Sequence, residues 1–169
     1  MEPIELCFAK TKPGAIIPCK RDEDAGYDIY LCVDEPYLRF APHETRLLPT
    51  GIASAFPQGY YFQLMERGST GTKGIGQRCG VIDSGYRGEW LVALTNHNAA
   101  PLYLVKEEAA PALQAMLGQE SAILYSLQKA VCQALLLPVP QTQVCELSYR
   151  ELCERGSARM EGRLGSSGK

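Results

Sequence analysis

The apolar residues of this chain come in short runs closed by turn formers: Ile4 to Ala9, Tyr27 to Val33, Arg46 to Leu48, Gly51 to Phe56, Tyr60 to Met65, Trp90 to Thr95, Leu102 to Val105, Leu135 to Val139 and Val144 to Leu147. Segments this short suit strands rather than helices, and their regular spacing predicts an all-β sandwich or barrel. Pro36, Pro42, Pro49, Pro57, Pro101, Pro138 and Pro140 fall between the runs or at their ends, where a missing amide donor does least harm. At 169 residues the chain is one domain of ordinary size, with enough apolar material for a core that needs neither disulfide nor structural metal.

Charge narrows the function classes. Seventeen basic residues stand against nineteen acidic ones, a net of -2, so there is no electrostatic footprint for nucleic acid or an anionic membrane, and an anionic ligand must be held locally. The seven cysteines, at 7, 19, 32, 79, 132, 145 and 153, include no C-x-x-C pair and no Cys/His set of zinc spacing. They read as buried reduced thiols of a cytoplasmic protein. Met1 to Leu6 lack the basic start and apolar centre of a secretion signal, and no run approaches the roughly 20 residues of a membrane span.

Three polar islands interrupt the strand pattern. In the third, Gly80 to Trp90, β-branched Val81 and Ile82 lead into Asp83, and Ser84-Gly85 offers a turn whose glycine can take a positive φ. Gly88 relieves the return to the run from Trp90. This predicts a β-hairpin with a carboxylate at its neck. Asp83 is then either a general base for a water, with the Tyr86 ring packed on a sugar or base, or a turn cap that accepts backbone amides. In the first island, Asp22 to Tyr30, Ala25-Gly26 permits close backbone approach and Asp28 sits on a strand, either on a solvated face or orienting a metal-bound water. The second, Glu66 to Gly74, sets small residues between Arg67 and Lys73. That composition suits convergence of several amides on a phosphate, or simply a flexible loop, and the G-x-x-x-x-G-K-[ST] spacing is absent.

From Lys106 the pattern changes. Glu107 to Gln128 is rich in Ala, Leu, Glu and Gln, Pro111 suits a first helical turn, and Leu124, Leu127 and Val131 have helical spacing. A helical insert over about 107–130 is expected, split by Gly118 into two short helices, with a strand resuming at Gln133. Arg155 to Lys169 is nearly empty of apolar residues and carries Gly156, Gly162, Gly165 and Gly168, as a mobile tail would.

Taken together, the islands resemble the five motifs of the trimeric dUTPase family (deoxyuridine triphosphate nucleotidohydrolases), in order and over most of the chain. Ala25 to Asp28 looks like the first motif, Arg67 to Ile75 the second and Gly80 to Glu89 the third, which is the most specific. Leu94-Thr95-Asn96 with Gln133 resembles the fourth, and Arg159 with Gly162 to Gly168 the fifth. Leu48 to Ile52 and Pro57 to Tyr60 look like the family's framework.

The resemblance implies a jelly-roll-like β subunit with a short helical insert over residues 1–157 and a flexible C-terminal lid over 158–169. It implies a homotrimer with shared active sites that splits dUTP into dUMP and pyrophosphate with Mg2+. By the same resemblance Asp83 is the general base, and Asp28 touches the metal through water. Substrate contacts fall to Arg67, Gly68, Ser69, Gln77, Gly80, Val81, Ile82, Asp83, Tyr86, Leu91 and Gln133, and in the lid to Arg159, Leu164, Gly165, Ser166 and Ser167. The chain departs from the family pattern at Gly68 in place of a serine, at Gln128-Lys129-Ala130 in place of a Gly-Asp-Arg turn, and at Leu164 in place of an aromatic ring. Two alternatives stand beside an active dUTPase: a dCTP deaminase-type enzyme, and a catalytically weakened relative that binds a partner. The deaminase relatives need a glutamate in the strand after the third motif, and Trp90 to Thr95 contains no acid.

A tail that closes over bound nucleotide excludes bulk water from the reacting groups. Truncation after Ser157 is therefore expected to leave the fold intact and lower kcat/KM for dUTP at least tenfold, about 1.4 kcal/mol, in steady-state assays. Unchanged kinetics would exclude a lid.

Overall fold

The computed structural model describes residues 3–78 and 80–157. The chain divides after Val139 into two units, 1–139 and 140–169. Its strands are β1 (Cys7–Lys10), β2 (Tyr27–Ile29), β3 (Tyr37–Phe40), β4 (Thr45–Pro49), β5 (Ile52–Ala55), β6 (Tyr60–Met65), β7 (Ile75–Arg78), β8 (Val81–Asp83), β9 (Leu91–Asn96), β10 (Leu102–Val105), β11 (Ile123–Ser126) and β12 (Cys132–Pro138). They pair in the orders β1-β5, β11-β10-β3, β2-β12-β6-β8 and β4-β9-β7, which among the described residues makes four open sheets around a main core rather than a closed barrel. The expectation of an all-β fold with a short helical insert holds.

The core centres on aromatic rings. Phe62 of β6 and Trp90 are fully buried, their centroids 5.1 Å apart at 62°. Phe56 meets Phe62 edge-on at 5.1 Å, and Phe8 meets Trp90 at 5.6 Å. Such tilted and T-shaped contacts add to the gain from area burial. The indole N–H is satisfied too, donating to Ser54 Oγ at 3.1 Å.

The expected hairpin at Gly80 to Trp90 is not one. β8 pairs antiparallel with β6 (Tyr61 opposite Asp83), whereas β9 pairs with β4 and β7. The turn is a crossing between two sheets. Trp90 makes it so: its N–H donates to Ile52 O at 2.8 Å, and its carbonyl accepts from Thr50 N (3.2 Å) and Thr50 Oγ1 (2.7 Å), diverting the chain away from β8. Gly85 does not use a positive φ.

The insert is helical only in its first half. A 3-10 turn (Glu107–Ala109) leads into α2 (Ala110–Leu117), which follows the one-turn α1 (Gly68–Gly71) in chain order, carries Pro111 in its first turn and ends at Gly118 with φ 57°. Its Leu113 and Leu117, one helical turn apart, bury against Tyr103 and Val105, while Leu102 and Leu104 on the other face of β10 enter the main core. The expected second helix is instead strand β11, parallel to β10. Parallel neighbours need a crossover of a dozen residues or more, so α2 is the link of a β-α-β unit rather than a peripheral excursion. Helical spacing misled because Ile123, Leu124 and Tyr125 are apolar on both faces, and both faces are covered: Ile123 and Tyr125 face the main core, Leu124 the α2 cluster.

β3, β7 and β11 were not expected as strands, and the expected strand at Val144 to Leu147 carries no regular structure. The second unit instead forms α3 (Tyr149–Glu154), started by a reciprocal cap in which Ser148 Oγ accepts from Glu151 N and Glu151 Oε2 accepts from Ser148 N (2.8 Å). Those bonds from Ser148, its hydroxyl first, hold the Glu151 carboxyl below its usual range. Of the described cysteines, all free, only Cys132 is buried; Cys7, Cys19 and Cys145 are exposed, against the expectation of buried thiols. No helix among the described residues is long and apolar enough to cross a membrane.

Leu127, just past β11, is 7% exposed and part of the main core, whereas Met116 of α2 is 63% exposed. Leu127→Ala is expected to cost about 2–5 kcal/mol in urea unfolding and Met116→Ala within about 0.5 kcal/mol. Similar costs would contradict a core role for the end of the insert.

Candidate active site

The sheet β2-β12-β6-β8 builds both halves of the site. In one row across it, Asp28 of β2 stands opposite Gln133 of β12, which stands opposite Met65 of β6. The chain leaves β6 at Glu66, and the loop that starts with Arg67 returns over that row. Arg67 Nε donates to Asp28 Oδ1 at 3.0 Å, Nη2 to Oδ2 at 3.3 Å and Nη1 to Ala130 O at 3.2 Å. The two side chains are about a third exposed, 30% and 33%, so solvent screens the pair and its worth to stability is small, about 0–1 kcal/mol. Its value lies in aim, since a planar guanidinium held at three points has little freedom left.

Gln133 Nε2 donates to Glu66 O at 2.9 Å and so fixes where the loop leaves β6. Gly26 has to be glycine for this, because a Cβ there would lie 2.5 Å from Gln133 Oε1. In the loop, Arg67 N donates to Thr70 Oγ1 (3.2 Å), Thr70 Oγ1 to Arg67 O (3.0 Å) and Thr72 Oγ1 to Gly68 O (2.6 Å), so α1 is a knotted turn with Ser69 on its exposed side. Arg67, Asp28 and Gln133 line one wall of an open cleft of about 560 Å³, with Lys20 and Arg21 also on its lining. Burial, before the nearby Asp28 charge, raises the Tyr30 phenol above its usual range. Cys132, next to Gln133, is pushed up to about 12 by burial and is no nucleophile.

The second half lies at the end of β8. Asp83 is exposed and opens on a cleft of about 460 Å³ lined by Gly80, Val81, Ile82, Asp83, Tyr86 and Leu91. Tyr86 N donates to Asp83 O at 3.1 Å, Tyr86 Oη to Glu89 O at 2.9 Å, and Arg87 Nη1 to Ser84 O at 2.5 Å. Glu89 Oε1 accepts from Gly51 N at 2.7 Å, tying the turn to the start of β5. Gly80 O accepts from Leu64 N at 2.6 Å, and a Cβ at Gly80 would come within 2.8 Å of Leu64 O. Behind it a smaller cleft of about 370 Å³ is lined in part by Glu66 and Gln77, where Gln77 N donates to Glu66 Oε1 at 3.2 Å.

The fold therefore gathers the expected residues into two groups, Asp28, Arg67, Gly68, Ser69 and Gln133 in one, and Gly80, Val81, Ile82, Asp83, Tyr86 and Leu91 in the other, with Gln77 between. It does not join them. Asp83 is opposite Tyr61, four residues along β6 from Met65, and Asp28 is three strands across from β8. At ~3.3 Å per residue and ~4.8 Å per strand, this register sets the Cα atoms of Asp28 and Asp83 about 20 Å apart. Sequence reasoning missed Glu66, the carbonyl of Ala130 and Tyr125, whose phenol reaches both Ala130 and Ser69. A helical reading of 119–130 hid the last two. Arg159, Leu164, Gly165, Ser166 and Ser167 lie outside the described residues.

Among the described residues, no group of three or more His, Cys, Asp and Glu is arranged to hold a metal ion. Asp28 shares its cleft with Glu23 and Asp24, and its two oxygens accept from Arg67, so it fits a hydrated Mg2+ carried mainly by phosphates and met through water, since that ion keeps several waters and takes few carboxylates.

A family model described as dUTPase matches residues 12–110. The chain is 32% identical over 172 residues to a deoxyuridine 5'-triphosphate nucleotidohydrolase of Gloeobacter violaceus, covering 99% of each. Among solved structures it is similar to the dUTPase of Staphylococcus bacteriophage 80alpha with dUPNHPP, with a TM-score of 0.73 and 20% identity over 98% of this chain and 99% of that one. It is also similar to a mutant dUTPase of phage phi11 of S. aureus, solved with a structural Mg(II) ion, with a TM-score of 0.63 and 19% identity over 85% and 97%. At these identities the two structures speak for the fold alone.

Gly80→Ala should cost about 1–3 kcal/mol through overpacking against Leu64 and should disturb the Asp83 cleft. Gly85→Ala, which meets no atom within 4 Å, should stay within about 0.5 kcal/mol. Thermal unfolding of both variants checks the contrast, and equal stabilities would remove the steric role of Gly80.

Proposed function

The chain belongs to the dUTPase family, and on that premise we propose that it hydrolyses dUTP to dUMP and pyrophosphate, with Asp83 as the general base. The observation that carries this reading is the Asp83 cleft, whose six lining residues are all among those that the resemblance gives to the substrate. Its walls are backbone and apolar side chain except for Asp83 and the Tyr86 hydroxyl. Main-chain donors and acceptors at fixed spacing read the edge of uracil and reject cytosine, which reverses the pattern at N3 and position 4 and leaves buried groups unpaired. The Tyr86 ring, held by its bond to Glu89 O, packs on the deoxyribose where a 2'-hydroxyl would otherwise stand.

Asp83 takes a proton from a water, the water oxygen bonds to the α-phosphorus, and the bond from that phosphorus to the bridging oxygen breaks, releasing pyrophosphate. Arg67, aimed by Asp28 and Ala130 O, receives the departing negative charge together with the loop amides. Asp28 would hold a Mg2+ ion through water, and the ion, when bound with the triphosphate, would supply further charge neutralisation. The α- and γ-phosphorus atoms of one nucleotide are only two P–O–P bridges apart. A separation of about 20 Å within one chain between Asp83 and Asp28, to which Arg67 is bonded, is too wide for Asp83 and Arg67 to serve the same molecule. Each site is therefore completed between chains, with Asp83 from one and Arg67 from another, in keeping with a homotrimer.

The deaminase alternative is weaker. β9, Leu91–Asn96, holds no acid, and the nearest one, Glu89, is spent on Gly51 N.

Asp83→Asn keeps the shape of the carboxylate but accepts no proton from water. It should lower kcat by on the order of 10² to 10⁴ while dUTP still binds, and dCTP should not be turned over by the native chain. Mixing Asp83→Asn and Arg67→Ala chains after joint refolding should restore part of the activity, because some sites then draw an intact residue from each. Near-native kcat in Asp83→Asn would refute the base assignment, and no recovery in the mixture would refute shared sites.

A further inference from the structure

Strand β11 reaches the Arg67 loop through one side chain. Tyr125 is 4% exposed, and its ring belongs to the main core. Its hydroxyl lies 2.8 Å from Ala130 O and 3.3 Å from Ser69 Oγ. A phenol carries one proton and a carbonyl only accepts, so that proton goes to Ala130 and the phenol oxygen accepts from the Ser69 hydroxyl. The second acceptor site of Ala130 O is occupied by Arg67 Nη1 at 3.2 Å. One buried hydroxyl thus fixes both the carbonyl that holds the third arm of the guanidinium and the side chain at the exposed tip of α1.

We propose that Tyr125 is a positioning residue for the phosphate half of the site, setting Arg67 through Ala130 and the loop through Ser69 without itself touching substrate. The proposal rests on the reading that the Arg67 loop receives the phosphates. It gives the crossover a function beyond completing a sheet, because the strand it delivers carries the support of that loop. Asp28 restrains two nitrogens of the guanidinium in a plane, but a screened pair leaves that plane free to tilt. The tie to Ala130, in a buried neighbourhood, removes the tilt.

The test uses the full chain with dUTP as substrate and inorganic pyrophosphate and deoxyuridine as competing inhibitors. Tyr125→Phe keeps the ring in the core and removes only the hydroxyl. KM for dUTP and the inhibition constant of pyrophosphate should rise together, about three- to tenfold, with kcat within twofold and deoxyuridine inhibition unchanged. A merely structural loss would move deoxyuridine and kcat as well, and that result would overturn the proposal, as would an unchanged pyrophosphate constant. Ser69→Ala removes only the phenol's bond to the loop, from an exposed position, so it reads that tie even where Tyr125→Phe fails to fold; it should raise the pyrophosphate constant, and an unchanged constant would overturn the proposal. Because Ser69 is also an expected substrate contact, the double variant should lose less than the sum of the two single losses, and fully additive losses would refute a shared interaction. Arg67→Ala separates the two levels: if it leaves pyrophosphate inhibition unchanged, the phosphate reading of the loop fails, whereas weakening by Arg67→Ala without weakening by Tyr125→Phe overturns the role of Tyr125 alone.

Discussion

The packing of Trp90 against Phe62 is the contact on which the rest of this molecule depends. Phe62 lies in β6, the strand that both β12 and β8 flank, and Trp90 stands at the entry to β9 in another sheet, so one ring pair joins the two sheets on either side of the Asp83 turn. The backbone of Trp90 is bonded to Thr50 and Ile52 at the same time. The turn from Ser84 to Glu89 is consequently stretched between two fixed ends, and Glu89, Arg87 and Tyr86 spend their polar atoms bracing it. Asp83 emerges as an exposed carboxylate on a rigid base. In the proposed reaction a carboxylate so held would lose little entropy when a water and a phosphorus are lined up before it.

The opposite half of the site is stabilised differently. Arg67 and Asp28 are a third exposed, and their attraction alone would fix nothing firmly. What fixes them is the backbone: Ala130 O on one side, and Gln133 bonded to Glu66 O on the other. Each of these carbonyls belongs to a segment entering or leaving the sheet β2-β12-β6-β8. The loop inherits the rigidity of the sheet through side chain to backbone bonds.

Sheet geometry also bears on the proposed assembly. Antiparallel register puts Asp28 and Asp83 at far corners of one sheet, and side chains of their length cannot close about 20 Å. A chemistry that needs both on one triphosphate requires a second copy of the chain. The oligomer in this reading brings together groups that the fold of one chain keeps apart, which is a stronger constraint than added stability.

Local chemistry was legible in the sequence. Proline punctuation and short apolar runs gave the all-β class, the order of Asp28, Arg67, Asp83 and Gln133 pointed to the family, and the close approach foreseen at Gly26 is met by Gln133. These depend on residue type and near spacing, which the chain carries in itself. Pairing between distant segments was not legible. Val81 to Asp83 and Leu91 to Asn96 look like two arms of a hairpin, and only the burial of Trp90 sends them to different sheets. Ile123 to Ser126 has a pattern that suits helix or strand, and the open edge of β10, with α2 over one face and the core under the other, decides for strand. The apolar Val144 to Leu147 finds no such partner and forms no strand. A strand is completed by hydrogen bonds to another part of the chain, so its existence, its sheet and the distance it sets between functional groups are decided only when the tertiary structure forms.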